Sequence, residues 1–251
     1  MAKKRLEKLG SRTAKGGFAT EKDIANKFNN WQFDEDAQQW LTIMGYDVEK
    51  IEKVRAIIVT GSHKTDVQVQ ITIYLKEAIA AENLSVKLTS NPQGFNQVDK
   101  RWVDKYAEMW NIPQDIAKAL KLFTGEVTPK GRGLRDPRRM FLNEMDNFTQ
   151  ERIIKFFSQN KLLVVSDILK GRDDFSADWI LVVLRKKGVL PQWALKHINY
   201  ALNTFGSGDI RITDRGSLKI GKITMQRKGG DAGRETAKML QFKINPTDLF
   251  R

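Results

Sequence analysis

Asp66 and the tripeptide Ser85-Val86-Lys87 carry the sharpest chemical suggestion in this sequence. Phosphodiester hydrolysis needs a carboxylate to hold a divalent cation, a water that becomes a nucleophile, and positive charge near the phosphate and the leaving oxygen. An Asp at the start of one strand and a Lys on the next supply much of that set. Ser85 and Lys87 are two positions apart, so on a strand they share a face, while Val86 and Leu88 point the other way into a core. The stretch from Asp66 to Lys87 has the length of a strand, a turn and the neighbouring strand. Glu21 is a candidate third acid, since it falls on one helical stripe with Phe18, Ala25 and Phe28. A carboxylate facing apolar neighbours needs a hydrogen bond or a cation; the bland alternative is a salt bridge at the helix edge. Asp…x-Lys pairs abound in charged proteins, so composition has to narrow the reading.

The chain has 251 residues, 41% hydrophobic and 29% charged, as an ordinary globular protein with a sizeable core has. Lys and Arg number 43 against 30 Asp and Glu, a formal charge of +13. Such a surplus favours a polyanionic partner through attraction and counterion release. With no cysteine, disulfides, thiolate metal sites and cysteine nucleophiles are excluded. The two histidines, His63 and His197, are too few for a histidine-rich zinc centre. A metal here would take oxygen ligands, which points to magnesium. The basic start lacks the apolar run of a signal peptide, and no stretch reaches membrane-spanning length.

The elements that must position these residues follow from periodicity. Helical spacing runs over Thr20–Asn29 and Asp34–Met44. Val54–Thr60 reads as a strand. So does Asp66–Tyr74, where Val67, Val69 and Ile71 alternate with Gln68 and Gln70. Lys76–Asn83 reads as a loop or helical turn before a strand at Leu84–Ser90, and Asn91, Pro92 and Gly94 mark a loop. Val98–Trp110 and Ile112–Phe123 read as helices, and Thr128–Pro137 as a basic loop. Thr149–Gln159 reads as a helix capped by Thr149, Leu162–Val165 as a short strand, and Ala177–Leu184 as strand or buried helix. Gln192–Asn203 reads as helix. Short strands at Ile210–Thr213, Ser217–Ile220, Lys222–Lys228 and Met239–Ile244 close the chain. The order suggests an α/β or α+β fold, a central mixed sheet flanked by helices with a strand-rich end. One domain over 1–251 accommodates it, with 1–10 as a basic arm or a solvated end and 206–251 as recognition strands and loops.

Several segments, in one order, resemble a known family. They are 61–87, Gly94-Phe95-Asn96-Gln97 with Asp99-Lys100, Arg138-Arg139-Met140-Phe141, Ser207-Gly208-Asp209-Ile210, Gln226-Arg227-Lys228-Gly229-Gly230-Asp231, Gly233-Arg234-Glu235-Thr236-Ala237 and Met239–Ile244. They resemble the small type II restriction endonucleases that cut GCGC and, more distantly, those that cut CCGG. Both lie within the nuclease superfamily built on Asp…(Asp/Glu/Gln)-x-Lys. The similarity runs from about Leu9 to Phe250. It implies a restriction-endonuclease-like fold and a magnesium-dependent enzyme that hydrolyses double-stranded DNA to 5′-phosphate and 3′-hydroxyl ends. Asp66 would be the central metal carboxylate, the Val86 carbonyl a second ligand, and Glu21 a neighbour on the first helix. Lys87 would orient or activate the attacking water. Ser85 stands where the GCGC cutters carry Gln, and its hydroxyl reaches less far.

The same resemblance implies how DNA is read. Phe95, Asn96, Gln97 and Lys100 would work in the minor groove, with Phe95 as an apolar wedge; the alternative is Phe95 as a core anchor for its loop. Gln226, Arg227, Lys228, Asp231 and Arg234 would read bases, Arg gripping guanine O6 and N7 and Asp accepting from cytosine N4. Read from the residues alone, that segment is equally a charged hairpin in solvent. Arg138 and Arg139, in a basic run beginning at Lys130, would hold phosphates. The expected setting is the bacterial cytoplasm, with the enzyme a monomer on DNA or a weak homodimer. A cognate DNA methyltransferase would work alongside without direct contact. A structure-specific or repair nickase of the same fold, a non-catalytic DNA-binding module and an RNA-binding protein stay open as alternatives.

Overall fold

The computed structural model describes residues 19–59, 68–130, 134–172, 174–230 and 233–251. The strands are β1 (Ile51–Val59), β2 (Gln68–Leu75), β3 (Ile79–Thr89), β4 (Asn96–Arg101), β5 (Trp179–Leu184), β6 (Gln192–His197), β7 (Ile210–Ile212), β8 (Leu218–Ile220), β9 (Ile223–Arg227) and β10 (Leu240–Ile244). The helices are α1 (19–29), α2 (Glu35–Ile43), α3 (Val103–Trp110), α4 (Gln114–Thr124), α5 (Asn147–Gln159), α6 (Lys161–Leu169) and α7 (Ile198–Gly206). The chain forms two compact units. One combines the described residues of 11–96, 169–202 and 245–251, and the other those of 97–168 and 203–244.

The first unit holds a mixed sheet in the order β1-β2-β3-β5-β6, antiparallel throughout except for the parallel pair β3–β5. Its registers put Val54, Ile71, Leu84, Val86, Leu181 and Leu195 on one face, since each directly opposed pair shares a side. That face is buried with Ile24 and Phe28 of α1 and Trp40 and Leu41 of α2. Asp34 caps α2, its side chain accepting from the Ala37 N–H at 3.0 Å, and Glu35 and Asp36 oppose the positive helix end. Lys27 of α1 donates to Asp34 and Asp36 at 2.9 and 3.0 Å, tying the two helices together.

The second unit carries the sheet order β4-β10-β9-β8-β7. One side is a row of fully buried residues, among them Leu218, Ile223, Met225, Leu240 and Phe242. The Phe242 ring meets Tyr106 and Trp110 edge-on at 5.2 and 5.7 Å, and those two stack at 4.8 Å. Trp110 Nε1 donates to buried Asp167 at 2.8 Å, so the indole polar atom is satisfied inside the core.

Five expectations are corrected. Leu162–Val165 is not a strand but part of α6, with Val164, Val165, Ile168 and Leu169 buried at helical spacing. Gln192–His197 is a strand, because it completes a ladder with β5; the helix starts only at Ile198. Residues 98–101 are strand rather than helix, and 79–83 extend β3 backwards where a loop or turn was expected. The cap of α5 is Asp146, whose side chain accepts from the Thr149 N–H at 2.9 Å; Thr149 is inside the helix.

Candidate active site and DNA-reading surface

β3 lies inside the mixed sheet, between β2 and β5. Ser85 is opposite Gln68 on one side and Ile180 on the other, and Lys87 is opposite Val182. Ser85 and Lys87 are only 2% and 6% exposed. Val86, between them, turns into the apolar core on the reverse face. Polar Gln68 and apolar Ile180 and Val182 share the other face with Ser85 and Lys87. Glu21 is also buried, at 9%, on α1, about one turn before the core residues Ile24 and Ala25. Asp66 and His63 lie outside the described residues.

Among the described residues no three Asp, Glu or His side chains gather as a cation site. The Ser85-Val86-Lys87 run offers a hydroxyl, a main-chain carbonyl and an ammonium. The two oxygens suit a hard divalent cation once a carboxylate joins them.

The loop after β3 is tied down by its own polar groups. The Gly94 N–H donates to the Asn91 carbonyl at 2.9 Å, and the Gln93 N–H donates to Asn91 Oδ1 at 2.9 Å. Asn96 Nδ2 donates to the Leu88 carbonyl at 2.7 Å, and Asn245 Nδ2 to the Pro92 carbonyl at 3.0 Å. Phe95 comes off this fixed loop 52% exposed, so it is not a core anchor. The Asn96 amide latches the loop onto β3. Gln97 and Lys100 belong to the second unit and are half-exposed there.

That second unit brings a set of arginines together. Asp136-Pro137-Arg138-Arg139 is a four-residue turn closed by the Arg139 N–H donating to the Asp136 carbonyl at 3.1 Å, with Asp and Pro in the positions such turns favour. Asp136 accepts from Arg138 Nε and Nη2 at 2.9 and 3.0 Å. This pairing carries its carboxyl down from 3.8 to about 2. The Arg139 guanidinium lies 4.0 Å from the centre of the Phe141 ring. Burial lowers its proton affinity first, and the charge of Arg227 adds to this. Arg227, at the end of β9, donates from Nε to the Ala237 carbonyl at 3.1 Å. These groups, with Arg234, Glu235 and Lys238, line a cleft of about 430 Å³. Asp231 lies outside the described residues.

The R.HinP1I restriction endonuclease family model matches residues 44–250. The chain belongs to that family. This R.HinP1I-family protein is a type II restriction endonuclease, an enzyme class that cuts DNA and generally works with a divalent metal. Among solved structures, restriction endonuclease MspI in complex with its cognate DNA shares the fold, with a TM-score of 0.62 at 14% identity. The match covers 90% of this chain and 88% of that one. No curated protein sequence matches significantly. No described helix is long and apolar enough to cross a membrane. Both Ser85-Val86-Lys87 and the arginine cleft fall inside the family match, and Glu21 precedes it.

Two residues of this R.HinP1I-family enzyme escaped the sequence reading. Asp136 was hidden among basic neighbours, although Asp-Pro is a turn signal. Gln241 is 2% exposed and donates from Nε2 to the carbonyls of Arg227 and Lys228 at 3.3 and 3.2 Å. Nothing in its local sequence distinguishes it from a surface glutamine.

Proposed function

We propose that this enzyme cuts both strands of duplex DNA within GCGC, at a centre made by Asp66, Ser85, the Val86 carbonyl and Lys87, with Glu21 beside it. The observation that carries the reading is Lys87, buried on the same sheet face as Ser85. Fixed on one strand face, a hydroxyl and an ammonium can meet a metal-bound water and a phosphate oxygen together. The role of Asp66 requires the β2–β3 register to run on past Gln68↔Ser85, a continuation that pairs position 66 with Lys87.

Magnesium would be held by Asp66, the Val86 carbonyl and the Ser85 hydroxyl, and would supply charge stabilisation to the pentacovalent transition state. The Lys87 ammonium has three donors, enough to orient the attacking water and meet a phosphate oxygen together. Water attacks phosphorus, the 3′-oxygen leaves, and the products carry 5′-phosphate and 3′-hydroxyl.

The rest of the surface is assigned to DNA. Phe95, Asn96, Gln97 and Lys100 face the minor groove, and Gln226, Arg227, Lys228, Asp231 and Arg234 face base edges. Exposed Arg138 holds phosphate with its neighbours in the basic run. The enzyme acts as a monomer on DNA or a weak homodimer in the bacterial cytoplasm, and a methyltransferase protects the same sequence without touching it.

Digestion of a plasmid of known sequence with magnesium, followed by mapping of the ends, tests the proposal. It expects every end inside GCGC. Cuts that follow damage or structure would make the protein a nickase, and tight binding without cuts would make it a non-catalytic module; either result overturns the reading.

A further inference from the structure

We propose that Arg139, together with Arg227, is a guanine-reading residue rather than a phosphate contact, and that Asp136 and Phe141 are the positioning residues that hold it. This deepens the DNA-cutting reading above and rests on it.

Three of the four arginines that line the cleft differ in what their guanidinium groups are doing. Arg138 is 76% exposed and spends its fork on both oxygens of Asp136. Arg139 is 18% exposed, its guanidinium carbon 4.0 Å from the centre of the Phe141 ring and its Nε 3.7 Å from Asp136. Arg227 uses Nε on the Ala237 carbonyl, which leaves its two-Nη edge for another partner. Among the described residues no carboxylate pairs with Arg227.

The backbone that carries Arg227 is fixed too. Gln241 holds the carbonyls of Arg227 and Lys228, the Lys228 N–H donates to Met239 at 2.8 Å, and the Gly229 N–H donates to Ala237 at 2.9 Å. Gly229 and Gly230 have φ of +64° and +61°, and a Cβ on either would meet nothing within 4 Å. These glycines are therefore not filling a packed site. They leave bare backbone at the cleft, open to a ligand edge.

Arg139 and Arg227 are thus two partly buried guanidinium groups on the wall of one cleft, each with donors left for a ligand. Phosphate also accepts a fork bidentately, but its full negative charge is repelled by the Asp136 carboxylate beside Arg139, whereas guanine is neutral. Guanine presents O6 and N7 side by side in the major groove, the acceptor pair that a fixed fork fits.

The test is competition binding of the full chain to duplexes, with calcium in place of magnesium to hold back hydrolysis. The duplexes carry GCGC, a scrambled site, or GCGC with one guanine at a time replaced by 7-deazaguanine, which lacks the N7 acceptor. Wild type should lose affinity about tenfold at two distinct guanines. Arg139→Lys should lose its sensitivity at one of them and Arg227→Lys at the other. The DNA analogues need no altered protein, so a misfolded variant does not decide the result. If Arg139→Lys weakens every duplex equally and keeps both sensitivities, Arg139 holds phosphate and the proposal fails. It fails as well, with the site preference intact, if wild type prefers GCGC but ignores every 7-deaza substitution. If wild type does not prefer GCGC to the scrambled site, the underlying reading of the target falls and takes the proposal with it.

Discussion

Ser85 and Lys87 share a face of β3, both buried, while Val86 between them is part of the core behind. The strand therefore presents a hydroxyl and an ammonium from one rigid ribbon, and neither can swing away without breaking two ladders. Ser85 offers only a short, neutral hydroxyl at that position. The serine should thus tune metal affinity more than it tunes the chemical step. Ser85→Ala is expected to raise the magnesium concentration for half-maximal cleavage several-fold and to lower the saturated rate less than about tenfold, the scale of one neutral hydrogen bond. Magnesium titration of cleavage rate checks this.

Phe95 projects from a loop that hydrogen-bonds itself into place. Since it is half-exposed, Phe95→Ala should change unfolding free energy by less than about 1 kcal/mol, against about 3–5 kcal/mol for a core phenylalanine such as Phe28. Affinity for a GCGC duplex should nevertheless fall about tenfold, because a wedge against bases is worth about 1–3 kcal/mol. Urea unfolding and duplex titration of one preparation give both numbers.

Gly125 ends α4 with φ +80°, and a Cβ there would stand 2.6 Å from the Arg138 carbonyl. Gly125→Ala meets left-handed strain and a backbone clash at once, together about 2–4 kcal/mol. The clash is relieved by pushing out the Asp136–Arg139 turn. The variant should therefore lose discrimination between GCGC and scrambled duplex as well as stability, which melting and binding curves can follow side by side.

The Asp136 carboxyl is drawn from 3.8 to about 2, chiefly by Arg138. A depressed carboxyl contributes stability above its unfolded value and loses that contribution as pH falls through the folded one. Asp136→Asn should be less stable than wild type near neutrality. The gap should close between pH 3.8 and about 2, where the wild-type carboxylate takes its proton. Denaturant midpoints across that range read the convergence directly.

How much was visible in the sequence varied with what decides each element. β2, and the four C-terminal strands β7–β10, announced themselves by alternation and by glycine or charged turns, because one face of each is apolar and local. Leu-Leu-Val-Val at 162–165 did not, since a short apolar run suits strand or helix equally and only burial at 164, 165, 168 and 169 tells them apart. Trp-Ala-Leu-Lys at 193–196 has helix-forming residues, yet the ladder with β5 overrides them. The shared face of Ser85 and Lys87 followed from spacing alone. The Asp136–Arg138 pairing and the Gln241 clamp join residues through folded backbone, so no pattern along the chain points to them.

The most direct measurement is single-turnover cleavage of a GCGC duplex in saturating magnesium by wild type, Asp66→Asn and Lys87→Met, with duplex affinity measured on the same samples. Both variants should bind within a few-fold of wild type and cut about 10²–10⁴ times more slowly, the range of a lost proton-handling or charge-stabilising group. Cleavage at the wild-type rate by either variant would contradict the assignment of Asp66 and Lys87 as the hydrolytic centre.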